Sequence, residues 1–144
     1  MRINLGGRIN TPEGWLSLDS VPPADIVWDL EDGFPLNVET EGKVEAFRAH
    51  HVLEHVYKLC PLMDRLWEAL APGGTLDIEV PHKDHGAAWH DPTHVRYFTE
   101  LSFEYFTSSL AYFGYVKHAW EYEVSPHMTG ANHDFIALTF KKPL

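Results

Sequence analysis

The chain has 144 residues, a formal net charge of −10 with histidine neutral, 44% hydrophobic and 22% charged residues, and ten histidines. These figures fit one globular domain, 1–144, and exclude wholesale disorder. The negative charge repels phosphate backbones and anionic bilayers, which excludes general nucleic-acid binding and docking on membrane surfaces.

In chain order, Arg2–Leu5 is short, apolar and closed by Gly6-Gly7, the pattern of a strand ending in a tight turn. Trp15–Asp19 alternates apolar with small polar residues and stops at an acid, and Asp25–Leu30 reads as a third strand with an acid near its end. Val44–Ala49 is a fourth, running into His50 and His51, and a short helix is expected through Val52–Tyr57. In Pro61–Leu70, Leu62, Leu66 and Leu70 recur every four residues, which predicts a helix with Pro61 in its first turn and Pro72-Gly73-Gly74 as its stop. Thr75–Val80 is a fifth strand closed by Pro81. Glu100–Ser108 is a second helix with Thr99 as N-cap. Tyr115–Val124 and Asp134–Lys141, rich in aromatic and β-branched residues, form a final antiparallel pair.

Strands followed late by helices and a terminal hairpin predict an α/β sheet that is mostly parallel. The early connections are too short for that class. A helical crossover takes about ten to twelve residues, whereas Gly7 leads to Trp15 in eight steps, and Asp19 to Ile26 is equally brief. Without a helix, eight extended residues still reach roughly 26 Å, enough to return along a strand about 17–20 Å long. The fold therefore lacks its first crossover helices, and one sheet face needs other cover: the Leu30–Lys43 loop, or a second subunit in a homodimer. The lone Cys60 permits no internal disulfide and suits a reducing compartment. No apolar run nears the roughly 20 residues of a membrane span, and MRINLGGRIN lacks a signal pattern, so no membrane partner and a cytoplasmic location are expected.

NLGGR (Asn4–Arg8), GWLSLD (Gly14–Asp19), DIVWDL (Asp25–Leu30), HVLEH (His51–His55), LAPGGTLDIEVP (Leu70–Pro81) and DPTHVRYFTELSFEYF (Asp91–Phe106) together resemble the compact class I S-adenosylmethionine-dependent methyltransferases, of the type 11-like kind. The likeness covers nearly the whole chain, in the family's order. It implies a Rossmann-like, mostly parallel sheet with an antiparallel C-terminal hairpin. It also implies S-adenosyl-L-methionine across the carboxyl ends of the strands, and methyl transfer to an unidentified, small-molecule acceptor. The cofactor residues it implies are Leu5, Gly6, Gly7, Arg8, Asp19, Ser20, Asp29, Leu30 and His50. Glycine lets backbone approach a ligand closely. An acid at the end of the second strand can accept from both ribose hydroxyls, and Asp29 with Leu30 would meet the adenine. Here the glycine turn has fewer glycines than the family's, and the helix that should follow is missing. Arg8 is the candidate to hold the cofactor's carboxylate in its place.

Seven of the ten histidines lie between positions 50 and 94. Methyl transfer needs an aligned nucleophile and often a base, and histidine's reference pKa of about 6.5 suits that role. His51 is the first candidate, with His94 a second. Glu54, His55, His90 and Arg96 are expected to meet the acceptor. The alternatives are a helix cap or surface role for Asp19, a solvated strand-end acid for Asp29, and caps or loop supports for His51 and His55. His82, His85, His90 and His94, with Asp84 and Asp91, also have the composition of a metal site. Pro92 argues against a helix presenting His90 with His94, and no metal ligand is assigned. Two further readings stand beside the enzyme: a non-catalytic module that binds S-adenosylmethionine or S-adenosylhomocysteine and acts through a partner, and a histidine/aspartate-ligated metal protein.

Overall fold

Side chains alternate across a strand, so each strand's two faces can be read separately. In the computed structural model, which describes residues 1–144, that alternation is nearly complete. Seven strands form one sheet: β1 (Arg2–Leu5), β2 (Leu16–Asp19), β3 (Ile26–Val27), β4 (Val44–His50), β5 (Leu70–Pro81), β6 (Glu121–Thr129) and β7 (Phe135–Lys141). Their order is β3-β2-β1-β4-β5-β7-β6. β1 to β5 run parallel, while β7 is antiparallel to β5 and β6 to β7. The expected parallel sheet with a terminal antiparallel hairpin is therefore present.

Register links one apolar row across the sheet. Leu16 pairs with Ile3, Ile3 with Phe47, Phe47 with Leu76, and Leu76 with Phe140. Leu18, Leu5, Ala49, Ile78 and Leu138 form the next row. All of these except the exposed Leu16 enter a core of 28 buried side chains together with Leu59, Leu62, Met63 and Leu66 of helix α1 (Leu59–Ala69). The other face is polar. Asn4, Arg48, Asp77 and Thr139 lie in register, tied by Arg48 Nη1 to Asn4 Oδ1 (3.4 Å) and Thr139 Oγ1 to Asp77 Oδ1 (3.3 Å). His50 Nε2 meets Asp77 Oδ2 at 2.7 Å. Burial pushes the Asp77 carboxyl up, but the His50 hydrogen bond and charge outweigh it and leave the carboxyl below its ordinary range.

This face corrects one expectation. The 30–43 segment packs on the apolar side, where Phe34 meets Phe47 edge-on at 4.9 Å. That loop therefore does not cover the opposite face, which is mainly polar and exposes Val27 and Val124. The missing crossover helices follow from the same chemistry, because a mainly polar, internally paired face has little hydrophobic area for them to bury.

Several elements differ in extent from the sequence pattern. The third strand is only Ile26–Val27, because both ends of Asp25–Leu30 are engaged elsewhere. Asp25 Oδ2 accepts from Ser17 N and Oγ, both at 2.8 Å, and Ser17 Oγ accepts from Asp25 N at 2.9 Å. Those two donors, the backbone amide first, hold the Asp25 carboxyl below its ordinary range. Asp29 instead caps a 3₁₀ turn, Leu30–Asp32. The 52–57 and 100–108 segments are also 3₁₀, at Leu53–His55 and Glu100–Phe106, the latter with Thr99 and Ser102 in the capping box. Pro61 does sit in the first turn of α1. β5 begins earlier than expected, at Leu70, and absorbs Pro72–Gly74 as a register shift opposite Val44–Ala46. Residues 115–120 stay out of β6 because Asp64 Oδ1 accepts from Lys117 N (2.8 Å) and His118 N (3.2 Å), and His118 stacks on Trp67. A five-residue helix, α2 (Gly86–His90), has no counterpart in the expected elements. No helix is long and apolar enough to cross a membrane.

Two outcomes follow for stability. Phe47 is fully buried, and Phe47→Ala is expected to cost about 3–5 kcal/mol in urea unfolding. Ser17→Ala, which removes two of the three bonds closing the β2–β3 connection, should cost about 1–2 kcal/mol by the same measurement.

Candidate functional site

The chain runs from β1 outward to β3 and returns to β4 on the other side of β1, so the strand order reverses between β1 and β4. In open parallel sheets the crevice beyond the carboxyl ends at such a point is where ligands bind. Here it is bounded by the turns after β1, β2, β3 and β4. Gly6 has φ +65°, and a Cβ there would come within 2.6 Å of Val52 Cγ2, so only glycine fits. A Cβ on Gly7 would lie 2.2 Å from Asn4 Nδ2. The amides of Gly6 and Gly7 both donate to Leu18 O, at 2.8 and 3.3 Å. That tether folds the turn back onto β2 instead of opening a helix, as the sequence pattern anticipated.

Two adjoining cavities fill the crevice. The first, about 300 Å³, is lined by Asp19, Ser20, Asp29, Leu30 and His55, with Gly6 and His51. The second, about 400 Å³, is lined by Leu5, Gly7, Arg8 and His50, and shares Gly6, Asp19 and His51 with the first. All nine residues expected to hold the cofactor thus border one continuous hollow. Asp19 Oδ1 accepts from Val21 N (3.0 Å) and Asp29 Oδ1 from Glu31 N (2.9 Å), so each acid caps a turn while its second oxygen has no protein donor. Arg8 is exposed and makes no ion pair. Trp28, Glu31, Val52 and Val56 complete the first cavity, and Arg48 and Glu79 stand in the second. Arg48 was legible in principle, being two residues before His50 on one strand and therefore on its face. Trp28 was not, because its place depends on Nε1 donating to Gly33 O (2.8 Å) after the chain turns.

His51 forms the partition between the two cavities and is held in an unusual way. Its φ is +57°, a left-handed conformation that costs a non-glycine residue about 1–3 kcal/mol. Its amide donates to Glu79 O (2.9 Å), its Nε2 contacts Glu79 Oε1 (3.0 Å), and its ring edge meets Phe135. With the carboxylate accepting from Nε2–H, the ring's lone pair lies on Nδ1, 3.8 Å from Glu54 Oε1.

Other expected residues are placed differently. Glu54 is 2% exposed and lines neither cavity, and His94, at 6%, lies beside it. Neither can touch a ligand in the crevice. Arg96 donates from Nε and Nη2 to Val56 O (3.0 and 2.7 Å) and from Nη2 to Tyr57 O (2.7 Å), so its guanidinium fixes backbone and is absent from both cavities. His90 is exposed, its ring over Gly86. His82 contacts Glu100 Oε2 (3.3 Å), and His85 caps α2 and contacts Asp134 Oδ1 (3.2 Å). The 82–94 histidines are thus distributed among separate partners. The trio that does converge is Glu54, His55 and His94, each offering a ligand atom within 4.8 Å of the others. Burial pushes the Glu54 carboxyl up to about 7 and the His55 imidazole below its ordinary range, the latter helped by the neighbouring His94.

No family model matches the chain, and no curated protein matches it. Solved structures do. The 1,6-didemethyltoxoflavin-N1-methyltransferase from Burkholderia thailandensis, bound to 1,6-didemethyltoxoflavin and S-adenosylhomocysteine, superposes on 99% of this chain and 71% of its own. Its TM-score is 0.68 and its sequence identity 13%. A SAM-dependent methyltransferase from Archaeoglobus fulgidus matches 98% of this chain and 85% of its own, at TM-score 0.66 and 14% identity. The N-methyltransferase NodS from Bradyrhizobium japonicum, in complex with S-adenosylhomocysteine, matches 99% and 78%, at TM-score 0.62 and 15% identity. The chain therefore shares one fold with these proteins, the class I S-adenosylmethionine-dependent methyltransferase fold.

Proposed function

We propose that residues 1–144 act as one minimal unit that binds S-adenosyl-L-methionine in the crevice and transfers its methyl group to a small-molecule acceptor. The observation that carries this reading is the continuous hollow at the switch point, with unpaired Asp19 and Asp29 oxygens in one lobe and a free Arg8 in the other. Asp19 accepts from the ribose hydroxyls, and Asp29 with Leu30 holds the adenine in the first cavity. Arg8, assisted by Arg48, takes the carboxylate in the second. The sulfonium supplies an electrophilic methyl: a bond forms from the acceptor to carbon as the carbon–sulfur bond breaks, and its electron pair stays on sulfur. His51, at the partition between the two cavities, would take the acceptor's proton on Nδ1, while Glu79 fixes its tautomer. His55, the other imidazole on the first cavity, packs its ring against the acceptor. The net charge of −10 favours a small molecule over nucleic acid.

One observation favours a second reading, a module that binds this cofactor without catalysis. The Gly6 and Gly7 amides, which could otherwise face a ligand, are spent on Leu18 O, and no helix N-terminus follows β1.

Calorimetry with S-adenosylhomocysteine tests both readings, and absence of binding would sink them together. Hydrogen bonds to a charged group contribute about 1.5–3 kcal/mol each, so Asp19→Ala is expected to weaken binding at least ~10-fold. Arg8→Ala should weaken S-adenosylhomocysteine but leave adenosine binding unchanged; equal loss of both would remove Arg8 from the carboxylate. His51→Asn keeps a residue that tolerates the left-handed backbone. It should retain S-adenosylhomocysteine binding while turnover over a panel of small acceptors falls by roughly 10²–10⁴. Cofactor binding with no turnover by the unsubstituted chain would select the module.

A further inference from the structure

Behind the inner wall of the first cavity, Glu54 is buried to 2% exposure and neither of its carboxylate oxygens has a hydrogen-bond partner. A buried acid without a partner is costly, and such a group marks either a neutral carboxyl or a missing ligand. The neighbours favour the second. His94 Nδ1 lies 2.9 Å from Ala88 O and must donate to it, which leaves the lone pair on Nε2, 3.9 Å from Glu54 Oε1 and 3.7 Å from Asp91 Oδ2. Thr93 Oγ1 donates to Asp91 Oδ1 (2.6 Å), so at 2.9 Å it accepts from His55 Nδ1–H, leaving that lone pair also on Nε2. Both imidazoles are therefore fixed in one tautomer by an outer hydrogen bond, as metal-bound histidines usually are. No protein donor stands between these groups to satisfy the carboxylate.

We propose that Glu54, His55 and His94 bind one divalent transition-metal ion, with Asp91 Oδ2 completing the coordination. Two imidazoles and carboxylates form a borderline ligand set that suits Zn²⁺. Ligand atoms around a tetrahedral zinc stand roughly 3.4 Å apart. The 3.7 and 3.9 Å separations at His94 therefore need to close by about half an ångström, and the widest pair by about 1.4 Å. The ion joins the 53–55 turn to the 91–95 segment, which already meet where Val95 N donates to Glu54 O at 2.9 Å. It thereby holds His55 in the cavity wall. This site depends on no cofactor and stands or falls apart from the methyl-transfer reading.

The test uses the full chain, stripped with a chelator, titrated with Zn²⁺ by calorimetry and with Co²⁺ by visible absorption. One equivalent of Zn²⁺ should bind and raise the thermal unfolding temperature, and Co²⁺ should give the intense bands of a four-coordinate site. Glu54→Gln and His94→Ala are each expected to weaken Zn²⁺ binding by at least ~100-fold. Thr93→Val, which removes the outer bonds to His55 and to Asp91 Oδ1 but no ligand, should weaken it by about 10- to 100-fold. His127→Ala, an exposed histidine far along the chain, should change nothing. Circular dichroism of each metal-free variant establishes that it is folded. If Glu54→Gln or His94→Ala does not fold, Thr93→Val and His55→Asn decide. Absence of a one-equivalent site, or Zn²⁺ affinity unchanged in the folded variants, overturns the proposal.

Discussion

The molecule is built on a sheet whose two faces have opposite chemistry. Ile3, Leu5, Phe47, Leu76 and Phe140 point into a core shared with α1, while Asn4, Arg48, Asp77 and Thr139 run across the other face in hydrogen-bonded register. A doubly wound sheet ordinarily buries both faces and needs helices on each. This one needs them on one side only. The short links from β1 to β2 and from β2 to β3 are then sufficient, held by Gly6 and Gly7 on Leu18 O and by Ser17 on Asp25 in place of helices.

The same alternation furnishes the crevice. Because β4 ends at the switch point, its polar-face residues Arg48 and His50 emerge in the second cavity. The next residue, His51, is then turned left-handed so that its ring divides the hollow. The strain at His51 is offset by the Glu79 contacts to its amide and ring. The sharp reversal it imposes drives Val52 against Gly6 and sends Glu54 inward, where it meets His94 from a segment forty residues later. Ligand crevice and buried carboxylate are thus two consequences of one turn.

Much of the fold was legible in short-range pattern. The limits of Arg2–Leu5, the four-residue leucine spacing of α1 with Pro61 in its first turn, and the Thr99 cap depend on neighbours a few residues away. Misplaced boundaries had long-range causes. Asp64 captures Lys117 and His118 from 53 and 54 residues distant, and Ser17 captures Asp25 from the preceding strand. No local preference encodes such contacts.

By itself the sequence determined that the sheet would be parallel with a terminal hairpin and that its first connections would lack helices, while the resemblance to the methyltransferases implied which residues would ring the crevice. The sheet and its short connections follow from alternation and connection length, which are local quantities. Tertiary structure decided that the uncovered face is polar and paired, that Arg96 holds backbone, and that Glu54 and His94 are buried together behind His55. Burial and mutual distance are properties of packed elements, and residues 54 and 94 acquire theirs only when the turn after β4 and the segment after α2 come together.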